Sequence, residues 1–241
     1  MNIDDNCYFH CLNFKNQERK KSMKKRFLTL DISCNFYEGC DLENDDRIKE
    51  YKIGASSCMY GHLDMINEFY YNSDKTYGIF CEDDILIHKD FKKLLPKIIQ
   101  HFDFLKLDVL LLGYLVTFPI SEHSQEFPLK NTENITTFTE NFPFKYHEFN
   151  NDIWGTQMYM ISRENAKKIL DKYYVGYLEK TLIDSNLTPF SADWTITKDG
   201  NRALLFPLIT IEDGKQNYDH VGQHNYHYYS FLNNYLKDIH I

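Results

Sequence analysis

The sequence predicts an α/β fold, with a mostly parallel central sheet flanked by helices and an irregular second half. The main observation is that short β-rich runs alternate with longer segments of helical apolar spacing, as in βαβ units. With only 10 Gly and 6 Pro in 241 residues, the chain is neither collagen-like nor of low complexity. Because there is no internal repeat and no linker, we predict one domain over 1–241, with a first half of about 1–116 and a second half of about 117–241.

The first half is predicted to contain four strands and three helices. Apolar and aromatic runs predict strands at 8–14, 27–32, 77–81 and 109–116. Helices are predicted at 16–27, 53–71 and 91–102. In the first helix Asn16 is the N-cap, and Met23 and Phe27 lie on one face. Pro96 lies inside the third helix and is expected either to kink it or to mark its true first turn.

The second half is less regular. Residues 117–152 hold three prolines and little periodicity, which predicts an irregular insertion over the site. Strands are predicted at 156–161 and 203–211, and Ser162 is expected to cap a helix with Ala166 and Ile169 on one face. The tail from residue 216 is rich in His and aromatic residues.

Charge and composition exclude some classes of protein. The chain has 27 Lys and Arg against 35 Asp and Glu, and this net charge of −8 argues against nucleic-acid binding. The basic cluster at 19–26 is the exception, and it is either a solvated helix face or a pocket for phosphate. The six cysteines show no pair of CxxC motifs, so we expect reduced thiols and no zinc site built from them.

The N-terminus and the apolar runs bear on location. The N-terminus has neither the basic nor the apolar region of a signal peptide, and no apolar run is long enough to span a bilayer. We therefore expect a cytoplasmic protein. The abundance of Asn, Lys, Ile, Tyr and Phe is typical of an AT-rich genome, which favours a bacterial or viral origin.

Three consecutive acids directly follow a predicted buried strand. Glu82, Asp83 and Asp84 lie at its carboxyl end, the edge at which open α/β sheets bind ligands. Three neighbouring carboxylates are unfavourable unless a cation neutralises them. Their hard oxygen donors suit Mg²⁺ or Mn²⁺, which in turn bind phosphates. A solvated acidic turn is the alternative interpretation.

Six stretches, in the same order along the chain, resemble the motifs of one enzyme family. They are LNF at 12–14 with Arg19 and Met23, FYEGCD at 36–41, IGASSCMYGH at 53–62, YGIFCEDD at 77–84, VLLLG at 109–113 and Gly155-Thr156 with Tyr159, Ser162 and Ala166. Together they are similar to glycosyltransferase family 25, the lipooligosaccharide galactosyltransferases and their collagen-modifying relatives. Ser57 stands where that family usually has Gly, and Gly61 where it usually has Ser.

The resemblance implies a fold, a reaction and a cofactor. It implies a GT-A fold, a nucleotide-sugar donor that is most often UDP-linked, a divalent cation (Mn²⁺ or Mg²⁺) and inversion at the anomeric carbon. The expected function is hexose transfer to a hydroxyl of a glycan or of a protein-linked acceptor, as in lipopolysaccharide biosynthesis. The aromatic tail at 226–229 is equally compatible with a partner surface, so a homodimer stays an open alternative.

The resemblance and the chemistry together nominate site residues. Inversion needs a general base, for which Asp193 is the first candidate and Asp152 the second. The remaining candidates are Asn13, Arg19, Ser57, His62, Glu82 and Asp83 for the nucleotide-sugar, Glu82, Asp84 and His220 for the metal, and Trp154, Tyr159 and Trp194 for the acceptor. Sugars stack on flat apolar faces, which is why aromatic residues are chosen for the acceptor.

Two other functions are compatible with the same residues. One is a nucleotide- or glycan-binding protein that has kept the fold and lost turnover, which the changes at Ser57 and Gly61 favour mildly. The other is a metal-dependent phosphohydrolase, which would need a second acidic or His cluster near the first. The first half offers His62 and His88 for that purpose.

Overall fold

The computed structural model describes residues 3–51, 53–115, 144–149, 151, 153–213, 225, 227 and 239–241. Within them the helices are α1 (Ile3–Asn6), α2 (Gln17–Thr29), α3 (Gly54–Asn72), α4 (Phe91–Phe104), α5 (Arg163–Tyr173) and α6 (Tyr177–Ile183), with a short 3-10 helix at Ala192–Trp194. The strands are β1 (Cys7–Leu12), β2 (Asn35–Tyr37), β3 (Tyr77–Glu82), β4 (Ile85–Ile87), β5 (Val109–Leu115), β6 (Lys145–His147), β7 (Trp154–Ser162), β8 (Arg202–Phe206) and β9 (Thr210–Glu212).

Among the described residues, seven strands form the central sheet in the order β2-β1-β3-β7-β5-β8-β6. Strands β2, β1 and β3 are parallel to one another, as are β5 and β8. Strand β7 is antiparallel to both β3 and β5, and β6 is antiparallel to β8. The predicted α/β class with a largely parallel sheet is confirmed. Strands from both predicted halves share this sheet.

Helices cover both faces of the sheet. On one face α2 and α4 pack through buried residues that include Met23 and Leu95. On the other face α3 and α5 pack through residues that include Leu63 and Ile169. Each face therefore has its own apolar core, and the sheet lies between them.

Strand β3 directs alternate side chains into the two cores. Ile79 and Cys81 lie in the core of α2 and α4, whereas Phe80 lies in the core of α3 and α5. Because successive side chains of a strand point to opposite faces, Glu82 and Asp83 leave the end of β3 in opposite directions. The three consecutive acids are thereby divided between two faces of the sheet.

The predicted strand at 27–32 is wrong. Residues 27–29 form the last turn of α2, and Leu30 is its C-cap, with its backbone N–H donating to Arg26 O. Phe27 and Leu30 are buried at a spacing of three residues, while Leu28 is 79% exposed. That burial pattern is helical, and six residues are too few for alternation to distinguish it from a strand.

The predicted single strand at 203–211 is two strands. Pro207 follows β8 and has no backbone N–H to donate, so the strand ends before it. Strand β9 then pairs with β4 rather than with the central sheet, which places Glu212 opposite Ile85. Pro96 lies in the interior of α4, so the interpretation that it marks the first turn is also wrong.

Candidate active site

The carboxyl ends of β1 and β3 lie side by side. Leu12 is paired with Glu82 at the last position of both strands, so Asn13 and Asp83 follow at the same edge. The buried Asn13 side chain donates one hydrogen bond to Asp83 Oδ2 and another, of 2.8 Å, to Asn16 O. Parallel pairing thus joins two segments that are 70 residues apart in sequence.

Arg19 neutralises two of the three acids. It lies in the first turns of α2, where its backbone N–H donates to the N-cap side chain of Asn16 at 3.0 Å. Its Nη1 lies 3.0 Å from Asp83 Oδ1 and 3.4 Å from Asp84 Oδ2. The side chains of Asp83 and Asp84 are only 9% and 7% exposed. Burial raises the pKa of Asp83, and the nearby Asn13 and Arg19 act in the opposite direction.

An open cleft of about 290 Å³ lies beside these acids. Its walls combine acids with two arginines, and the second, Arg26, pairs with Asp213 at 2.9 Å. The backbone N–H of Asp213 donates to Asp84 O at 2.6 Å, which ties the end of β9 to the acidic motif. The lining residues are Asn16, Glu18, Arg19, Ser22, Arg26, Asp83, Asp84 and Asp213.

Glu82 belongs to a second cluster on the opposite face of the sheet. Its Oε1 accepts a hydrogen bond of 2.7 Å from the Thr156 hydroxyl of β7 and lies 3.6 Å from His62 Nε2 of α3. Burial acts to raise the pKa of Glu82, but His62, Thr156 and Arg19 outweigh it and lower the pKa below its usual value. The carboxylate is therefore held in its charged form.

Asp193 joins this second cluster from the 3-10 helix. Its Oδ1 accepts hydrogen bonds from the backbone N–H groups of Gly155 at 2.9 Å and Thr156 at 3.1 Å, and from the Thr156 hydroxyl at 2.8 Å. Burial and then the charge of Glu82 raise the pKa of Asp193. The carboxyl group is thus fixed in position by three donors.

Thr156 is the residue that our interpretation of the sequence missed. Its hydroxyl lies between Glu82 and Asp193, and no role was assigned to it beyond its place in a Gly-Thr stretch resembling the family. A β-branched residue in a buried strand is ordinarily packing. The only sequence signal for Thr156 was the predicted base Asp193, because a buried carboxylate needs hydrogen-bond donors around it.

His62 and Tyr159 lie beneath the second cluster. Both side chains are fully buried, and His62 Nδ1 lies 3.0 Å from Tyr159 Oη. Tyr159 was predicted to contact an acceptor, but its buried position places it behind His62 instead. Cys58, one helical turn before His62, is half-buried, and burial raises the pKa of its thiol.

The remaining sequence-predicted residues differ in how they relate to the site. Ser57 is half-buried in α3 and donates a hydrogen bond of 2.5 Å to Cys40 O, so it holds the segment after β2. Trp154 begins β7 and Trp194 ends the 3-10 helix, so these two half-buried residues are the sequence neighbours of Gly155 and Asp193, which are in contact. Asp152 and His220 lie outside the described residues.

The edge of the sheet therefore carries two sets of carboxylates with different surroundings. Asp83 and Asp84 face a cleft with two arginines, which suits a phosphate-bearing ligand and a cation. Glu82 and Asp193 share a hydroxyl, which suits proton transfer. No helix among the described residues is both long and apolar enough to cross a membrane.

Comparisons with known proteins identify the class of enzyme. The sequence matches the family model described as "Glycosyltransferase family 25 (LPS biosynthesis protein)" over residues 8–183, which is more than half of the chain. The protein is thus an enzyme of the glycosyltransferase class. It belongs to glycosyltransferase family 25. No curated protein sequence matches it.

Solved structures add two similar proteins. One is a glycosyltransferase involved in the glycosylation of the major capsid of PBCV-1, with 8% identity, a TM-score of 0.46 and coverage of 90% of this chain and 98% of that chain. Another is mannose-1-phosphate geranyltransferase from Thermus thermophilus, with 10% identity, a TM-score of 0.45 and coverage of 82% of this chain and 73% of that chain. The family assignment rests on the sequence match.

Proposed function

We propose that this enzyme transfers a hexose from a nucleotide-sugar, with UDP as the expected nucleotide, to a glycan or protein-linked hydroxyl with inversion. The observation that carries this proposal is the division of the acidic motif at the end of β3. Asp83 and Asp84 meet arginines on one face, and Glu82 meets Thr156 and Asp193 on the other. One face can bind the departing diphosphate while the other accepts a proton.

The donor diphosphate is assigned to the cleft beside α2. Arg19 and Arg26 both line it, and guanidinium groups bind phosphate oxygens through paired, charge-assisted hydrogen bonds. Asn13 fixes Asp83 and so keeps the acidic wall of the cleft in place. The basic cluster at the start of α2 then acts as a phosphate pocket rather than only as a solvated helix face.

Asp84 and Asp83 would hold the divalent cation. Their carboxylate oxygens are the donors that Mg²⁺ and Mn²⁺ prefer, and burial makes neutralisation by a positive charge favourable. Arg19 supplies part of that charge, and a bound cation would supply the rest. When bound, the cation stabilises the negative charge of the leaving diphosphate. His220 stays a candidate ligand.

Asp193 is assigned as the general base. The acceptor oxygen forms a bond to the anomeric carbon while the bond from that carbon to the diphosphate oxygen breaks, and the electron pair leaves with the diphosphate. The acceptor proton passes to the Asp193 carboxylate, whose pKa is raised by burial and by the charge of Glu82, which makes it a stronger base than an exposed aspartate. Trp194 follows Asp193 in sequence, Trp154 precedes Gly155, which donates to Asp193, and both are assigned to the acceptor sugar. Asp152 is the alternative base.

The family description names lipopolysaccharide biosynthesis, and we extend the proposal to a glycan acceptor of that kind. A cytoplasmic location, a bacterial or viral origin and a homodimer stay predictions.

Thermal unfolding in the presence of nucleotides tests the proposal. A ligand at about 100 times its Kd stabilises a protein by about 2.7 kcal/mol, which is a measurable rise in Tm. We expect UDP with Mn²⁺ to raise Tm more than UDP or Mn²⁺ alone, and more than ADP or GDP with Mn²⁺. No rise with any nucleotide, with or without metal, would contradict the proposed function.

A further inference from the structure

Three side chains of different chemistry converge between α3 and the end of β3. One ligand atom each from Cys58, His62 and Glu82 lies within 4.8 Å of the other two. Cys58 and His62 are four residues apart in α3 and so lie on the same helix face. Glu82 reaches them from the end of β3, on the face of the sheet away from Asp83 and Asp84.

The orientation of His62 is the second observation. Its side chain is fully buried, and its Nδ1 is fixed by Tyr159 Oη at 3.0 Å. Its Nε2 has no hydrogen-bond partner within 3.5 Å in the described part of the chain, and it faces Glu82 Oε1 across a longer contact of 3.6 Å. A buried polar atom without a partner is costly, and a separation of 3.6 Å is close to that of two ligands around one tetrahedral metal ion.

We propose that Cys58, His62 and Glu82 bind one zinc ion. Sulfur, imidazole nitrogen and carboxylate oxygen are the three donor types of protein zinc sites, and three protein ligands leave one position open. The Tyr159 hydroxyl would orient His62 from behind, and Thr156 would orient Glu82 through its 2.7 Å hydrogen bond. Half-buried Cys58 and Glu82 leave the ion a route in from solvent.

This site uses other ligands than the cation pocket of the proposed function. Asp83 and Asp84 offer only oxygen donors, which suit Mg²⁺ or Mn²⁺. The thiolate and imidazole of the second site select a softer ion. The spacing of cysteines in the sequence gave no sign of it, because only one cysteine takes part and its partners come from two other residue types.

Cobalt(II) titration of the metal-stripped, full-length chain tests the zinc site. Co²⁺ replaces Zn²⁺ in such sites, and a Co²⁺–thiolate bond gives a charge-transfer absorption that oxygen ligands do not give. We expect this band to saturate at one equivalent and to disappear when Zn²⁺ is added. Cys58→Ser should abolish the band, and Glu82→Gln should weaken Co²⁺ binding.

Matched variants distinguish Co²⁺ binding at this site from binding at another cysteine or at the acidic pocket. Cys34→Ser alters another half-buried cysteine, packed on the opposite face of the sheet, and should keep the band. Asp84→Asn should also keep it, whatever becomes of nucleotide binding. Tyr159→Phe retains the ring and removes the hydroxyl behind His62, so it should weaken Co²⁺ binding by about 10- to 100-fold.

The zinc proposal would be overturned by the absence of a thiolate band in the wild-type chain, or by a band that persists in Cys58→Ser. Unfolding followed with and without Zn²⁺ gives a second measurement. Zn²⁺ should raise the Tm of the wild type and of Cys34→Ser but not of Cys58→Ser. An equal rise in all three would also overturn the proposal.

Discussion

Glu82 and Asp193 share a single hydroxyl group: Thr156 Oγ1 lies 2.7 Å from Glu82 Oε1 and 2.8 Å from Asp193 Oδ1. A hydroxyl has one proton, so it can donate to only one of the two carboxyl groups at a time. Both contacts of the Thr156 hydroxyl can be hydrogen bonds when one of the two carboxyl groups is protonated, because the hydroxyl then donates to one group and accepts from the other. Burial and the charge of Glu82 raise the pKa of Asp193, whereas His62, Thr156 and Arg19 lower the pKa of Glu82.

Thr156→Val tests this shared hydroxyl. Removing the hydroxyl leaves buried carboxylate oxygens with one donor fewer, which should cost about 1–3 kcal/mol of unfolding free energy. The lost hydrogen bond favoured the charged form of Asp193, so its pKa should rise further and the acid limb of the pH–turnover profile should move to higher pH. Thr156→Ser keeps the hydroxyl and should resemble the wild type. Identical pH–turnover profiles for Thr156→Val and Thr156→Ser would contradict a role of the hydroxyl in setting the pKa of Asp193.

Arg19→Gln tests whether Arg19 neutralises the acidic motif. Without the guanidinium, the buried Asp83 and Asp84 lose the positive charge that lies within 3.4 Å of both, and we expect a loss of about 1.5–3 kcal/mol of unfolding free energy. Added Mn²⁺ should recover more stability in Arg19→Gln than in the wild type, as measured by Tm. Arg26→Gln, which removes the pair with Asp213, is the matched control and should show a smaller Mn²⁺ response. If Mn²⁺ raises the Tm of both variants by the same amount, Arg19 does not neutralise the acids of the cation pocket more than Arg26 does.

His101 should make stability depend on pH. It is buried, with Nδ1 3.0 Å from Tyr146 Oη, and burial lowers its pKa from 6.5 to about 4. Between those values the unfolded chain binds more protons than the folded one, so the unfolding free energy should fall as pH falls from about 6.5 to about 4. Each unit of pKa shift changes the unfolding free energy by at most about 1.4 kcal/mol.

Urea unfolding at a series of pH values measures this dependence. His101→Gln can still form a hydrogen bond with Tyr146 but does not titrate, so its stability should fall less steeply over the same range. Part of the slope should remain, because burial also lowers the pKa of His10 to about 4. Equal slopes in the two proteins would show that His101 does not contribute.

The sequence predicted the acidic edge of the sheet because that prediction needed only strand direction. Parallel strands end at one edge, which placed the acids after β3 there, and the family resemblance added Asn13 and Arg19; both contact Asp83. What it did not predict was the division of Glu82 from Asp83 and Asp84. Strand alternation separates Glu82 from Asp83, but only once β3 is known to extend through Glu82. The bend after β3, and not alternation, brings Asp84 to Arg19 beside Asp83.

Long-range pairing explains the other differences. Strand β7 enters the sheet antiparallel between β3 and β5, which buries Tyr159 and brings Thr156 to Glu82. Local spacing along the chain holds no information about either contact. The alternating run at 27–32 likewise fits a helix end as well as a strand until Phe27 and Met23 are seen to share one core.

The central claim is that the two faces of β3 have separate functions, one for the donor and one for the proton. The most direct test compares Asp84→Asn with Asp193→Asn in two assays. One measures UDP–Mn²⁺ binding, and the other measures release of UDP from the donor when acceptor is present. We expect Asp84→Asn to lose binding, and Asp193→Asn to bind like the wild type while turning over about 10²- to 10⁴-fold more slowly. Full turnover in Asp193→Asn, or undiminished UDP–Mn²⁺ binding in Asp84→Asn, would contradict the claim.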